Sequence, residues 1–74
     1  MNGIIFQRRR IGPENDIALD FVDNDGDEIT LNSYAGGELI ELEVFSETGC
    51  MILDRQQTIQ FAEKLLELTK EPTK

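Results

Sequence analysis

The sequence has no histidine and no tryptophan, one cysteine and two prolines. Without histidine, the usual general base near neutral pH is missing, and so is the commonest metal ligand. Cys50 stands alone, so no disulfide framework can form, and no imidazole is available to activate its thiol. The cysteine content fits a reducing, cytoplasmic setting. Apolar runs are only a few residues long, too short to cross a membrane. Met1 to Phe6 carries no basic leader followed by a long apolar run, so no secretory signal is expected.

Other kinds of chemistry are thin as well. Gly36-Gly37 is too short for a phosphate-cradling loop and leads into a strand, not a helix. Ser33 and Ser46 lack a G-x-S-x-G context. Glu41 and Glu43 could in principle work as an acid–base pair, but carboxylates alternating along a strand read as surface. Asp23-Asn24-Asp25-Gly26-Asp27-Glu28 resembles part of a calcium loop. With Gly26 at its sixth position, however, the first position falls on Phe21 and the twelfth on Asn32, and neither can serve. The expectation is a protein that is not an enzyme, with no cofactor and no metal.

Acidic residues outnumber basic ones by 15 to 7, for a net charge of −8. The imbalance is uneven. Residues 1–13 hold Arg8, Arg9, Arg10 and no acid, and so carry +3; residues 14–74 carry −11. An acidic body of this kind argues against direct binding to nucleic acid or to an anionic membrane. The arginine run has no interleaved aromatics. It reads as an edge strand blunted by charge, or as a partner for acidic residues of the same or a neighbouring subunit.

What the sequence does have is turns. Asp23-Asn24-Asp25-Gly26, Gly36-Gly37 and Ser46-Glu47-Thr48-Gly49 each carry hairpin chemistry. The first sets Phe21 opposite Ile29, Leu19 opposite Leu31 and Ile17 opposite Ser33. The second sets Ile40 opposite Ser33, Leu42 opposite Leu31 and Val44 opposite Ile29. The third sets Ile52 opposite Val44. All three place Ile17, Leu19, Phe21, Ile29, Leu31, Ile40, Leu42, Val44 and Ile52 on one face, so turn chemistry and apolar alternation agree. The other face mixes Asp16, Asp20, Glu28, Thr30, Asn32, Glu41 and Glu43 with Val22, Phe45, Met51 and Leu53, and with Tyr34 and Leu39. A first strand over Gly3 to Arg10 pairs with Ile17–Val22 across a Gly-Pro loop.

After Leu53 the period lengthens. Asp54 and Gln57 form a capping-box pattern, which predicts a helix from Arg55 to Lys70, ahead of Pro72. Its apolar residues form two lines. Either Ile59, Ala62 and Leu66 cover the sheet, leaving Phe61, Leu65 and Leu68 to meet something else such as the same helix in a second subunit, or all six pack on the sheet. Glu71 to Lys74 reads as a frayed tail. The predicted fold is α+β: one domain over 1–74, an antiparallel meander of four to five strands with one C-terminal helix packed on one face.

A chain this small buries only about 60% of its unfolded surface, so association would add useful stability. Two functional readings follow. In the first, the chain is a non-enzymatic interaction module, a homodimer or higher oligomer. It would join through surplus apolar residues, with Tyr34, Leu39, Phe45, Met51 and Leu53 on the sheet and Phe61, Leu65 and Leu68 on the helix. In the second, Asp20, Glu28, Glu41 and Glu43 form an acidic face that occupies a basic, nucleic-acid-binding protein. Small acidic phage proteins that inhibit restriction or CRISPR nucleases are similar in size, charge and make-up. Glu41 and Glu43 lie ~7 Å apart along their strand, about half the charge density of a DNA strand.

Overall fold

The computed structural model describes residues 3–12, 14 and 16–70. Four strands, β1 (Gln7–Ile11), β2 (Asp16–Val22), β3 (Glu28–Tyr34) and β4 (Leu39–Phe45), form one antiparallel sheet in the order β1-β2-β3-β4. One helix, α1 (Arg55–Thr69), follows. The α+β meander expected from the turns is the fold that forms.

The register follows from the turns. Ile17, Leu19 and Phe21 stand opposite Ser33, Leu31 and Ile29, and these in turn face Ile40, Leu42 and Val44. On this side lies the core. Ile4, Phe21 and Ile29 make one buried cluster, and Leu19, Leu31 and Leu68 make another, with Phe6 and Phe61 packed against both. Phe6 meets Phe21 edge-on at 5.0 Å between centroids, and Phe61 lies 5.8 Å from Phe21.

The structure departs from expectation in four places. The first strand begins at Gln7 rather than Gly3. Before it, the chain turns in under α1, where the Ile4 N–H donates to Gln60 Oε1 at 2.9 Å and Ile4 is buried. Second, the Gly-Gly turn is not a two-residue loop. Ala35–Gly37 forms a left-handed turn with φ values of 57°, 68° and 98°, closed by the Glu38 N–H on the Ala35 carbonyl at 3.3 Å, and the register around it is unchanged.

The third departure is that, among the described residues, no strand follows Ser46–Gly49. The turn closes, with the Gly49 N–H on the Ser46 carbonyl at 3.3 Å, but the chain then leaves β4. The Ile52 N–H donates to Asp23 Oδ2 at 2.9 Å, and the Ile52 carbonyl accepts from the Asn24 N–H at 2.8 Å. The segment thus crosses the end of the sheet with reversed phase: Met51 and Leu53 pack on the core and Ile52 is exposed.

Fourth, the two lines on α1 trade places. Phe61, Leu65 and Leu68 pack on the sheet, while Ile59 and Leu66 are 53% and 58% exposed. The capping box accounts for this. The Gln57 N–H donates to Asp54 Oδ1 at 2.8 Å, and Gln57 Oε1 accepts from the Asp54 N–H at 3.0 Å, which turns Gln57 inward. Phe61, Leu65 and Leu68 follow at helical spacing on that same face. The helix end matches the reading within one residue, and the tail at 71–74 lies outside the described residues.

Candidate interaction surfaces

Among the described residues, no helix or strand packs on the face of the sheet away from α1, the bare face. Its side chains stand in cross-strand rows set by the register. Val22, Glu28 and Phe45 form the end row; Gln7, Asp20, Thr30 and Glu43 form the next; Arg9, Ala18, Asn32 and Glu41 form the third; Ile11 with Asp16, and Tyr34 with Leu39, close the far end.

Polar groups in the middle rows bond to one another. Arg9 grips Asp20 through two nitrogens, at 2.6 and 3.1 Å, and Thr30 Oγ1 donates to Asp20 Oδ1 at 2.7 Å. The Arg9 bond, then the Thr30 bond, hold the Asp20 carboxyl below its ordinary range. Asn32 Nδ2 donates to Glu41 Oε1 at 3.0 Å and to Glu43 Oε1 at 2.9 Å. The Tyr34 hydroxyl donates to the same Glu41 oxygen at 2.9 Å, and that bond pushes the phenol upward. Two carboxylates are therefore held side by side on β4, under a nearly buried asparagine. Of the four acidic residues singled out from the sequence, Asp20 is neutralised by Arg9. Glu41 and Glu43 converge on Asn32, and Glu28 sits apart in the end row.

The eight apolar candidates divide differently. Leu39 and Phe45 are 64% and 55% exposed, and half-buried Tyr34 lies beside Leu39. The other five pack on the core. Leu68 is buried inside it, while Met51, Leu53, Phe61 and Leu65 pack against its two clusters. They are turned inward because α1 docks by its Phe61 side and because Asp23 reverses the phase of the 51–53 segment.

Ile5, inside the first strand expected over Gly3 to Arg10, is 77% exposed. With Gln7, Arg9, Val22 and Phe45 it lines an open groove of about 680 Å³ on the bare face. No sequence signal marked Ile5 for the surface, since its exposure follows from Ile4 and Phe6 being the two that turn under the helix.

Both outer strands are open. Among the described residues, no strand pairs with the far side of β1 or of β4. β1 presents Arg8, Arg9 and Arg10, all exposed, and β4 presents Glu41 and Glu43. Among the described residues no group of His, Cys, Asp and Glu side chains is arranged to hold a metal ion, and no helix is long and apolar enough to cross a membrane. Compared with family models, with curated proteins and with solved structures, the chain matches none.

Proposed function

We propose that the chain is a small, non-enzymatic protein-interaction module that associates with copies of itself. The observation that carries this reading is the pair Leu39 and Phe45. Both sit on an unpaired edge strand and both are more than half exposed. An open seven-residue strand with apolar residues at its two ends offers backbone donors and acceptors together with apolar area. The surface left uncovered on α1, Ile59 and Leu66, adds to the apolar area that a second chain could bury.

The test is mass by size exclusion with light scattering over a range of concentrations. The wild-type chain is expected to exceed its monomer mass of 8.4 kDa as concentration rises. Phe45→Asp is expected to remain at 8.4 kDa and to keep its folded circular dichroism, because Phe45 lies outside the core clusters. Leu65→Asp, by contrast, places a carboxylate against Leu19 and Leu31 and is expected to unfold the chain. A wild-type mass of 8.4 kDa at every concentration would overturn the reading.

A further inference from the structure

We infer that copies join edge to edge, with β1 of one chain adding to β4 of the next, so that a single sheet runs through the assembly. This deepens the self-association reading and rests on it.

The direction of the strands comes first. Each strand is antiparallel to its neighbour, so β1 and β4 run in opposite senses. A copy displaced sideways by one sheet width therefore sets its β1 antiparallel to β4, the same arrangement as every pairing within the sheet.

The side chains then select a register. On the bare face, β1 and the residues before it present Ile5, Gln7, Arg9 and Ile11; β4 presents Phe45, Glu43, Glu41 and Leu39. Setting Arg9 opposite Glu41 of the next copy puts Ile11 opposite Leu39, Gln7 opposite Glu43 and Ile5 opposite Phe45. All four pairs are complementary, with two apolar, one charged and one polar. The match is not forced by composition: the spacing from apolar to charged to apolar along β1 is the mirror of that along β4. It also covers Ile5, Leu39 and Phe45, three of the exposed apolar residues. On the helix side, the stems of Arg8 and Arg10 lie over Leu42 and Ile40 of the next copy, an apolar surface suited to their methylenes.

Charge disfavours the like-edge pairings of greatest overlap. Two β4 strands centred on Leu42 would set Glu41 against Glu43 twice. Two β1 strands centred on Arg9 would stack the arginine runs. Like charges directly opposite one another destabilise a strand pair. Only the unlike edges attract, and a contact between two different surfaces repeats until it closes into a ring or continues as a filament. Neighbouring strands turn by roughly 20–25°, so each four-strand copy advances about 90° and the ribbon winds helically.

The test uses two variants that each reverse one charge. Glu41→Lys sets a lysine opposite Arg9 of the next copy, and Arg9→Glu sets a glutamate opposite Glu41. Each alone is expected to stay at 8.4 kDa at concentrations where the wild type assembles, and an equimolar mixture is expected to regain the wild-type mass. Raising salt to about 0.5 M is expected to lower the wild-type mass, since exposed charges are screened at that strength. The edge inference is overturned if either variant assembles alone like the wild type, or if two folded variants fail to complement. In those cases self-association still stands, and Phe45→Asp tells whether it uses the exposed residues of β4 in another arrangement. A wild type that never assembles removes both readings. If a variant does not fold, amide exchange of the wild type decides. Concentrated protein should show about tenfold slower exchange at β1 and β4 edge amides than dilute protein, and equal rates would overturn the edge inference.

Discussion

Asp23→Ala is expected to destabilise the chain by about 3 kcal/mol, read as a fall in the urea midpoint. Asp23 is only 5% exposed, although it belongs to a turn. Its Oδ1 accepts from the Asp25 and Asp27 N–H groups, both at 2.9 Å, and its Oδ2 accepts from Ile52 N–H at 2.9 Å. Removing the carboxylate orphans three partly buried donors. Bonds to a charged acceptor contribute roughly 1.5–3 kcal/mol each, and water entering the gap restores part of the loss. A 74-residue domain at about 0.05–0.15 kcal/mol per residue has little to spare. A change below about 1 kcal/mol would show that these bonds matter little.

The same residue sets a pH dependence. Burial pushes the Asp23 carboxyl up, but the backbone donors of Ile52, Asp27, Asp25 and Gly26 outweigh it and hold the group below its ordinary range. A carboxyl depressed in the folded state binds protons more weakly there than in the unfolded chain. Its stabilisation is therefore complete above the unfolded value, near about 3.9, and is lost as pH falls through the folded value. Asp20 acts in the same direction. Asp27 opposes them, since burial and its neighbours Asp23, Asp25 and Glu47 push its carboxyl up. Asp23→Asn keeps one oxygen acceptor and removes the charge, so its stability should fall less steeply between about pH 5 and 2 than that of the wild type. An unchanged acid limb would assign the slope to other groups.

Gly37→Ala is expected to be as damaging, at about 3 kcal/mol. Two costs combine there. Gly37 has φ of 98°, a left-handed conformation that side chains disfavour, and an added Cβ would collide with the backbone carbonyl of Leu68 and lie 3.3 Å from Thr69 Cα. Neither obstacle is a flexible side chain, so the turn and the end of α1 would have to separate. Gly49→Ala provides the comparison. It has a similar left-handed φ of 73° but open space around it, leaving only the conformational cost of about 1 kcal/mol. In a domain of this size each kcal/mol lowers Tm by about 4–8 °C, so the two variants should be well resolved. Equal melting temperatures would mean that the contact with Leu68 yields without cost.

The sheet was legible because its information is local. Asp23 to Gly26 and the Gly-Gly pair fix the pairing of residues within a few positions, and Leu19, Leu31 and Leu42 line up as a consequence. The segment after Gly49 was not legible, because its fate is decided by a bond between Asp23 and Ile52, 29 positions apart. Asp23 looked like a turn residue and is one, but its second oxygen works at long range. On α1, apolar residues cover nearly half the circumference, so their pattern alone cannot select the buried side. The inward Gln57 of the capping box does so, and its four-residue spacing to Phe61 and Leu65 was present in the sequence. The two charged edges could be read as charge. Their complementarity could not, because it depends on Ile5 standing outside while Ile4 and Phe6 turn in.

One feature of the connectivity bears on folding rate. Every strand pairs with its neighbour in sequence, so the sheet can zip from hairpins without waiting for distant parts of the chain to meet. Remote segments are brought together by α1, through Gln60 on Ile4 and through Leu65 and Leu68 on the inner strands, and by the 51–53 segment, through Ile52 on Asp23. The helix is therefore the element to arrive last and to detach first. Its departure would uncover Leu19, Phe21 and Leu31 at once, a brief opening from which misassembly or proteolysis could begin.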